Sequence, residues 1–490
     1  MNVLFIYNGS EHIGIQFLSS VLKKHGHSTS LLFDPAVFTG HSFLDIPFLK
    51  AFTNLDQEIV DKAIAQKPDL ICFSCFTGNY GWCLQMASRI KSRCKTPVVF
   101  GGVHPTSVPK TVLQNSCVDY VVVGEGEEAL LELLDCLHNG TASLPKIANL
   151  GYKIGDEMFV NQPRPYIKQL DLIPLPDKDL FYSKVPMLAE MYRVMTSRGC
   201  PFSCSFCGNS MLHRMYPHEK SHVRRRSVQN VLEELRIAKK KYRIKSIIFS
   251  DDIFTMSHDW LNEFIPLYKA EIGIPFSCTT HPNFIRQDII DLLKEGGCWS
   301  MQMGIQSGSE RIRRDIFHRH ETTEKIIQSG LMVKRSGIKL FVDIILGAPT
   351  ETEDDIKDSL ALLGKIKPDR LVSFFLTYYP ETEIIDIALE NKLLDTLQYE
   401  QIQQGVIGYT HSSGSVSKTR VKLYSTYELL MQLRVLITND LLYNTISSIV
   451  PLLPFKGLIS KIAKLLIAIK TKNLRYAFYI KYIFAKKDVP

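Results

Sequence analysis

Apolar residues in the first 140 positions come in short runs separated by stretches with helical spacing. Residues 3–7, 30–33, 69–74, 97–100 and 120–123 are such runs, each bounded by turn residues. Between them Ile15, Leu18, Val21 and Leu22 recur at helical intervals, as do the apolar positions of residues 82–93 and 129–137. Strand runs that alternate with helices of about 10–15 residues predict a parallel, doubly wound sheet. The small-residue turns at Gly101 and Gly102 and at Gly124 and Gly126 fall at strand carboxyl ends, the edge where such sheets hold ligands.

The pattern changes over residues 141–190. Pro145, Pro163, Pro165, Pro174, Pro176 and Pro186 punctuate this stretch, which predicts an irregular linker with one short hairpin near residues 152–160. Strand–helix alternation resumes over residues 191–380, with expected strands at 193–197, 246–250, 276–279, 300–304, 339–346 and 371–377. Ser227 is placed to cap a helix whose apolar face is Val228, Val231, Leu232 and Leu235. Glu353, Asp354 and Asp355 suit the first turn of a helix after Thr352. Six βα units imply a partial barrel with its chemistry at the strand carboxyl ends. Over residues 381–490 helical periodicity dominates.

Composition narrows the class. The 490 residues predict two to four domains at roughly 100–200 residues each. With 45% hydrophobic and 22% charged residues, the chain is not mainly disordered, fibrous or built of many membrane spans. A net charge of +8 is too mild to indicate nucleic acid. The basic runs at residues 224–226 and 239–241 carry no interleaved aromatics, so they read as coats on barrel helices and no nucleic-acid partner is expected. The first residues read as a strand, not a signal peptide, which makes the reducing cytoplasm the expected compartment. Eleven cysteines are too few for a disulfide scaffold, and clustered thiols there point to metal or catalysis.

The carboxy-terminal tail departs from the average. Residues 452–469 are apolar but broken by Pro454, Lys456, Lys461 and Lys464, too interrupted to span a bilayer. From Phe455 onward nine basic residues face one acid, Asp488. Two readings stand: a solvated helical cap over the barrel mouth, or a basic amphipathic helix in peripheral contact with an anionic membrane. Either a small-molecule or a lipid substrate is compatible with it.

The strongest chemical signal is Cys200, Cys204 and Cys207, three thiols within eight residues just after an expected strand. Three thiolates on one loop can each hold one iron of a cubane. The fourth iron then lacks a protein ligand, as a catalytic metal position requires. Zinc is the competing reading, with His213 or His218 as a fourth ligand. No second tight triad appears. Cys72 and Cys75 belong to an apolar run and read as core thiols.

The CxxxCxxC spacing, with aromatic Phe206 before the last cysteine, resembles the signature of the radical S-adenosylmethionine (SAM) superfamily. The resemblance implies a 4Fe–4S cluster on Cys200, Cys204 and Cys207 whose open iron chelates SAM. It further implies an external one-electron reductant, and cleavage of SAM to a 5′-deoxyadenosyl radical that abstracts a substrate hydrogen. Residues 247–254 resemble the family's second strand with its polar tip, Asp251 and Asp252. Residues 304–310 resemble the fourth-strand SAM segment, and residues 347–352 the fifth-strand turn over adenine. Phe206, Gln306, Ser307, Glu310 and Gly347 are the implied SAM residues. Gln306 stands where the family often has Glu; an amide can still donate and accept at a ribose.

Residues 101–106 and 123–127 resemble the cobalamin-binding domain that precedes the barrel in one class of that superfamily. The implied cobalamin residues are Ser74, Gly101, Gly102, His104, Gly124 and Gly126. The Asp-x-His-x-x-Gly segment that supplies a cobalt ligand elsewhere is absent, so cobalamin without a protein histidine on cobalt is implied. His104 reads as a loop-structuring residue and His12 as a cap or surface residue. A cofactor-free Rossmann-like fold is the alternative for this domain. The expected α/β architecture is therefore a Rossmann-like cobalamin domain (1–140), a linker (141–190), a partial (β/α)6 radical SAM barrel (191–380) and a helical carboxy-terminal region (381–490). The expected function is methyl transfer to an unactivated carbon. The alternatives are a cobalamin-binding cyclase or rearrangement enzyme, or a non-catalytic accessory protein.

Overall fold

The computed structural model describes residues 1–36, 55–219, 221–406 and 418–471. The last part of the basic tail, residues 472–490, lies outside the described residues.

The first sheet contains β1 (Asn2–Asn8), β2 (Ser28–Asp34), β3 (Leu70–Ser74), β4 (Val98–Gly101), β5 (Tyr120–Val122), β6 (Leu150–Ile154) and β7 (Glu157–Val160), in the order β2-β1-β3-β4-β5-β6-β7. The first five strands pair in parallel. Every residue from Val3 to Tyr7 is buried, as expected of a strand covered by helices on both faces. The hairpin β6–β7 is the difference from the sequence reading. It is no isolated feature of a linker, because β6 pairs antiparallel with β5 and completes the first sheet. A loop-rich composition conceals such pairing, since the partners Tyr120 and Tyr152 are far apart in sequence.

The second sheet has six parallel strands in chain order: β8 (Met191–Val194), β11 (Ser246–Phe249), β12 (Phe276–Thr280), β13 (Cys298–Gln306), β14 (Lys339–Leu346) and β15 (Arg370–Phe375). β8 and β15 remain its edges, so it is a partial barrel. A small antiparallel pair, β9 (Ser197–Arg198) with β10 (Arg224–Arg225), stands above β8. The expected helix caps form. Ser227 Oγ accepts from Asn230 N at 3.2 Å, and Thr352 and Asp355 cap each other reciprocally.

The helix Glu383–Glu390 meets the cysteine loop, Ile384 N donating to Ser205 O at 3.0 Å, but the helices from Lys418 onward pack on the flank of the barrel. The helix Lys418–Leu436 packs against β15 and the helix Glu353–Ile366, burying Tyr424, Leu429 and Met431. The helix Lys456–Lys470 packs outside it. Among the described residues no helix is long and apolar enough to cross a membrane.

Candidate functional site

The cysteine loop leaves β8 and is braced from several sides. Asp251, at the tip of β11, is buried and accepts from Thr196 N at 3.1 Å, from Thr196 Oγ1 at 2.8 Å and from the Ser197 hydroxyl. Gly199, at φ +86°, lies against the backbone carbonyl of His222, where a Cβ would collide. Phe202 stacks on His281 at 4.3 Å and Phe206 meets Phe317 edge-on at 4.9 Å. Ser205 N donates to Phe317 O at 3.2 Å.

The three thiols share one electrostatic environment on this loop. Burial pushes the Cys200 thiol up to about 12; a backbone hydrogen bond from Phe202 opposes this, while Asp252, Cys204 and Cys207 add to it. Burial likewise pushes Cys207 up to about 11, and Cys204 is one of the charges that act on it. A cationic cluster held there would favour the thiolate forms that burial disfavours. The zinc alternative loses its ligand. His213 Nε2 donates to Cys200 O at 2.9 Å, so Nδ1 of the neutral ring accepts from the Ser203 hydroxyl at 2.9 Å. Both nitrogens are spent on bracing the loop, and His218 is exposed. Among the described residues no three His, Cys, Asp or Glu side chains gather as the ligands of a single ion would.

The first sheet turns its carboxyl edge toward this loop. Arg198 donates to Glu125 at 2.9 Å and to Glu127 at 2.6 Å, and Arg224 donates to Glu125 at 2.7 Å. Burial alone would raise the Glu125 carboxyl, but the two guanidiniums and the Ile167 N–H hold it below its ordinary value. The basic run at residues 224–226 is therefore not a coat on a barrel helix. Arg224 bridges the domains, Arg225 reaches Thr196 Oγ1 at 2.9 Å, and Arg226 is buried against Glu234. Charge density alone does not separate a solvated run from one neutralised by distant carboxylates.

Between the domains lies a cavity of about 400 Å³. Ser74, Gly101, Gly102, Gly124 and Gly126 line it from the first sheet; Ser197, Arg198, Gly199, Asn209, His213 and Ser250 line it from the barrel side. Its walls fit a large polar-edged ring. Gly102, at φ +99°, lets the β4 turn lie where a Cβ would come within 2.6 Å of Cys75 O, and Gly124 does the same against the Tyr216 hydroxyl. Three polar atoms on the lining, His222 Nδ1, Arg224 Nε and Ser250 Oγ, are buried without a hydrogen-bond partner. Buried unpartnered groups are costly, and a bound cofactor edge would satisfy them.

His104 is not on this lining. It is fully buried, packs on Tyr80 at 4.1 Å and meets Thr77 Oγ1 at 3.2 Å, which makes it a brace of the loop. His12, read as a cap or surface residue, does cap: its Nδ1 accepts from Ile15 N at 3.2 Å. It also lines the cavity, and its Nε2–H donates to Ser74 Oγ at 3.2 Å. Nothing in its local sequence signals the second contact.

The SAM candidates divide. Gln306 ends β13 at φ +68° beside a register shift, and Gly347 follows β14 at φ +84° with open space where a Cβ would point. Together with Phe206 they stand around the barrel mouth. Ser307 and Glu310 lie in the turn that follows β13. The Ser307 hydroxyl is buried and accepts from Ser309 N at 3.2 Å, while the Glu310 carboxylate accepts from Thr323 N at 3.0 Å. Both contacts brace the turn that follows β13.

Comparison with known proteins agrees with this arrangement. The family model for the Radical SAM superfamily matches residues 194–363, and that for the B12 binding domain matches residues 6–134. The chain is 32% identical over 345 residues to the uncharacterized methyltransferase PH0819 of Pyrococcus horikoshii, covering 68% of this chain and 72% of that protein. It is 24% identical to the anaerobic magnesium-protoporphyrin IX monomethyl ester cyclase of Rubrivivax gelatinosus, covering 78% and 69%. Among solved structures, the cobalamin-dependent SAM radical enzyme OxsB aligns with a TM-score of 0.68 at 15% identity, over 99% of this chain and 80% of its own. The radical SAM methyltransferase TsrM of Kitasatospora setae aligns with a TM-score of 0.63 at 17% identity, over 79% and 76%. This chain belongs to the radical SAM superfamily, in the class that carries a B12-binding domain ahead of the barrel.

Proposed function

We propose that this chain is a cobalamin-dependent radical SAM methyltransferase acting on an unactivated carbon of a small-molecule substrate. The observation that supports this best is a junction. A second cavity of about 240 Å³ occupies the barrel interior, lined by Arg193, Ser277, Trp299 and Gln302 among others. Ser250 lines both this cavity and the one between the domains. A substrate in the barrel therefore meets the interdomain cavity at one buried hydroxyl.

When bound, the cluster with SAM supplies a carbon-centred radical for hydrogen abstraction, and cobalamin supplies a transferable methyl group. Cys200, Cys204 and Cys207 hold the cluster. Phe206, Gln306 and Gly347 border the SAM position. Ser74, oriented by His12, and the glycines at 101, 102, 124 and 126 shape the bed for the corrin. The Arg198–Glu125 pair keeps the two beds face to face.

The test is anaerobic. Holoenzyme reconstituted with iron, sulfide and cobalamin is reduced with methyl-labelled SAM in the presence of a small-molecule extract. Label in a new product together with 5′-deoxyadenosine is expected. 5′-Deoxyadenosine with an unlabelled product would favour the cyclase reading, to which the Rubrivivax relative lends support. Absence of 5′-deoxyadenosine would favour a non-catalytic accessory protein.

A further inference from the structure

The carboxy-terminal helix Lys456–Lys470 is inverted relative to an ordinary surface helix. Against the protein it buries Ser460, Ala463, Ile467 and Ala468; outward it presents Leu458, Ile462, Leu465, Leu466 and Ile469. The outward set falls on one stripe at helical spacing. The neighbouring turn adds Leu452 at 81% and Phe455 at 80% exposure, and the helix Asp440–Ile449 adds Leu441, Leu442 and Ile449. Isolated exposed leucines are unremarkable, but a contiguous apolar face of this kind marks a contact surface.

The charges around the stripe select what it contacts. Lys456, Lys461, Lys464 and Lys470 lie on the same helix, which carries no acidic residue. Among the described residues Lys464 forms an ion pair with Glu428, and Lys456 donates to the Pro451 carbonyl at 2.9 Å. Lys461 and Lys470 are exposed, with stems long enough to lie along an apolar surface while their heads reach phosphate. A second copy of the chain is a poor occupant, because an isologous contact sets the same lysines against each other. A flat, anionic, apolar-cored partner matches both features.

We propose that the face formed by Leu452, Phe455 and the stripe from Leu458 to Ile469 docks this enzyme on an anionic lipid bilayer. The helix lies in the headgroup plane, with its aliphatic side chains in the acyl boundary and its lysines at the phosphates. The interaction is peripheral and weakens as salt screens the lysines. It rests on this surface alone and does not depend on the reaction proposed above.

Flotation of the full-length reconstituted protein tests it, using vesicles of phosphatidylcholine with phosphatidylglycerol and vesicles of phosphatidylcholine alone. The protein is expected to float with the anionic vesicles, to float less at raised salt, and to remain below with the neutral ones. The triple variant Leu458→Gln, Ile462→Gln, Leu466→Gln is expected to lose flotation while keeping its iron content and circular dichroism. Failure of the unsubstituted protein to float on anionic vesicles overturns the proposal, as does equal flotation of the variant. Light scattering that shows a dimer dissolved by the same three substitutions assigns the face to self-association and also overturns it.

Discussion

Arg198 and Glu125 tie the cysteine loop to the cavity-facing edge of the first sheet, Nη1 to Oε1 at 2.9 Å, with Arg198 two residues ahead of Cys200. Glu125 also takes Arg224 at 2.7 Å. Glu125→Ala leaves two largely buried guanidiniums short of a partner. A loss of about 3 kcal/mol is expected in the denaturant unfolding of the apoprotein, the scale for breaking a buried pair. A variant as stable as the parent would show that the pair does not hold the domains.

Gly199 has no room for a side chain, since a Cβ there meets the His222 carbonyl. Gly199→Ala must shift the start of the cysteine loop, at a cost of about 1–3 kcal/mol in backbone strain. Iron bound per chain after reconstitution is expected to fall sharply. Gly26→Ala is the control: that glycine is also at positive φ, but nothing lies within 4 Å of its Cβ position, so iron content should be unchanged.

Burial holds the His104 imidazole down to about 4, whereas an unfolded histidine titrates near ~6.5. Between these values the unfolded chain binds a proton that the folded chain refuses. Stability is therefore complete above pH ~6.5 and falls as the pH drops toward about 4. His104 alone accounts for roughly 3 kcal/mol across that window. Unfolding free energy measured along a pH series should fall less steeply for His104→Gln, with the difference confined to the acid side. Parallel curves would count against it.

Ser250 Oγ is buried and without a hydrogen-bond partner. Removing a hydroxyl that makes no bond costs little, and Ser250→Ala is expected to leave the apoprotein as stable as the parent or up to about 1 kcal/mol more so. Ser250→Leu fills the junction of the two cavities. It should abolish label transfer from methyl-labelled SAM while 5′-deoxyadenosine still forms. Equal loss of both would remove Ser250 from the path between them.

Much of this molecule was legible in its sequence. Helix caps at Ser227 and Thr352 and the thiol triad are local: their physics acts within a few residues, so spacing alone displays it. The strands Asn2–Asn8 and Lys339–Leu346 announced themselves as apolar runs because both of their faces are covered. The hairpin of Leu150–Ile154 with Glu157–Val160 was visible as a hairpin, but its pairing with Tyr120 was not.

What only the tertiary structure decided was where side chains went once the chain closed. Arg224 found Glu125 across 99 positions, His213 spent both nitrogens on the cysteine loop, and the Glu310 carboxylate took the Thr323 N–H. None of these outcomes has a local signature. Each follows from burial, which forces a polar group to find whichever partner the fold brings within reach. The sequence by itself determined which elements form and which thiols gather; the packing of one sheet edge against the other decided which residues face the space between them.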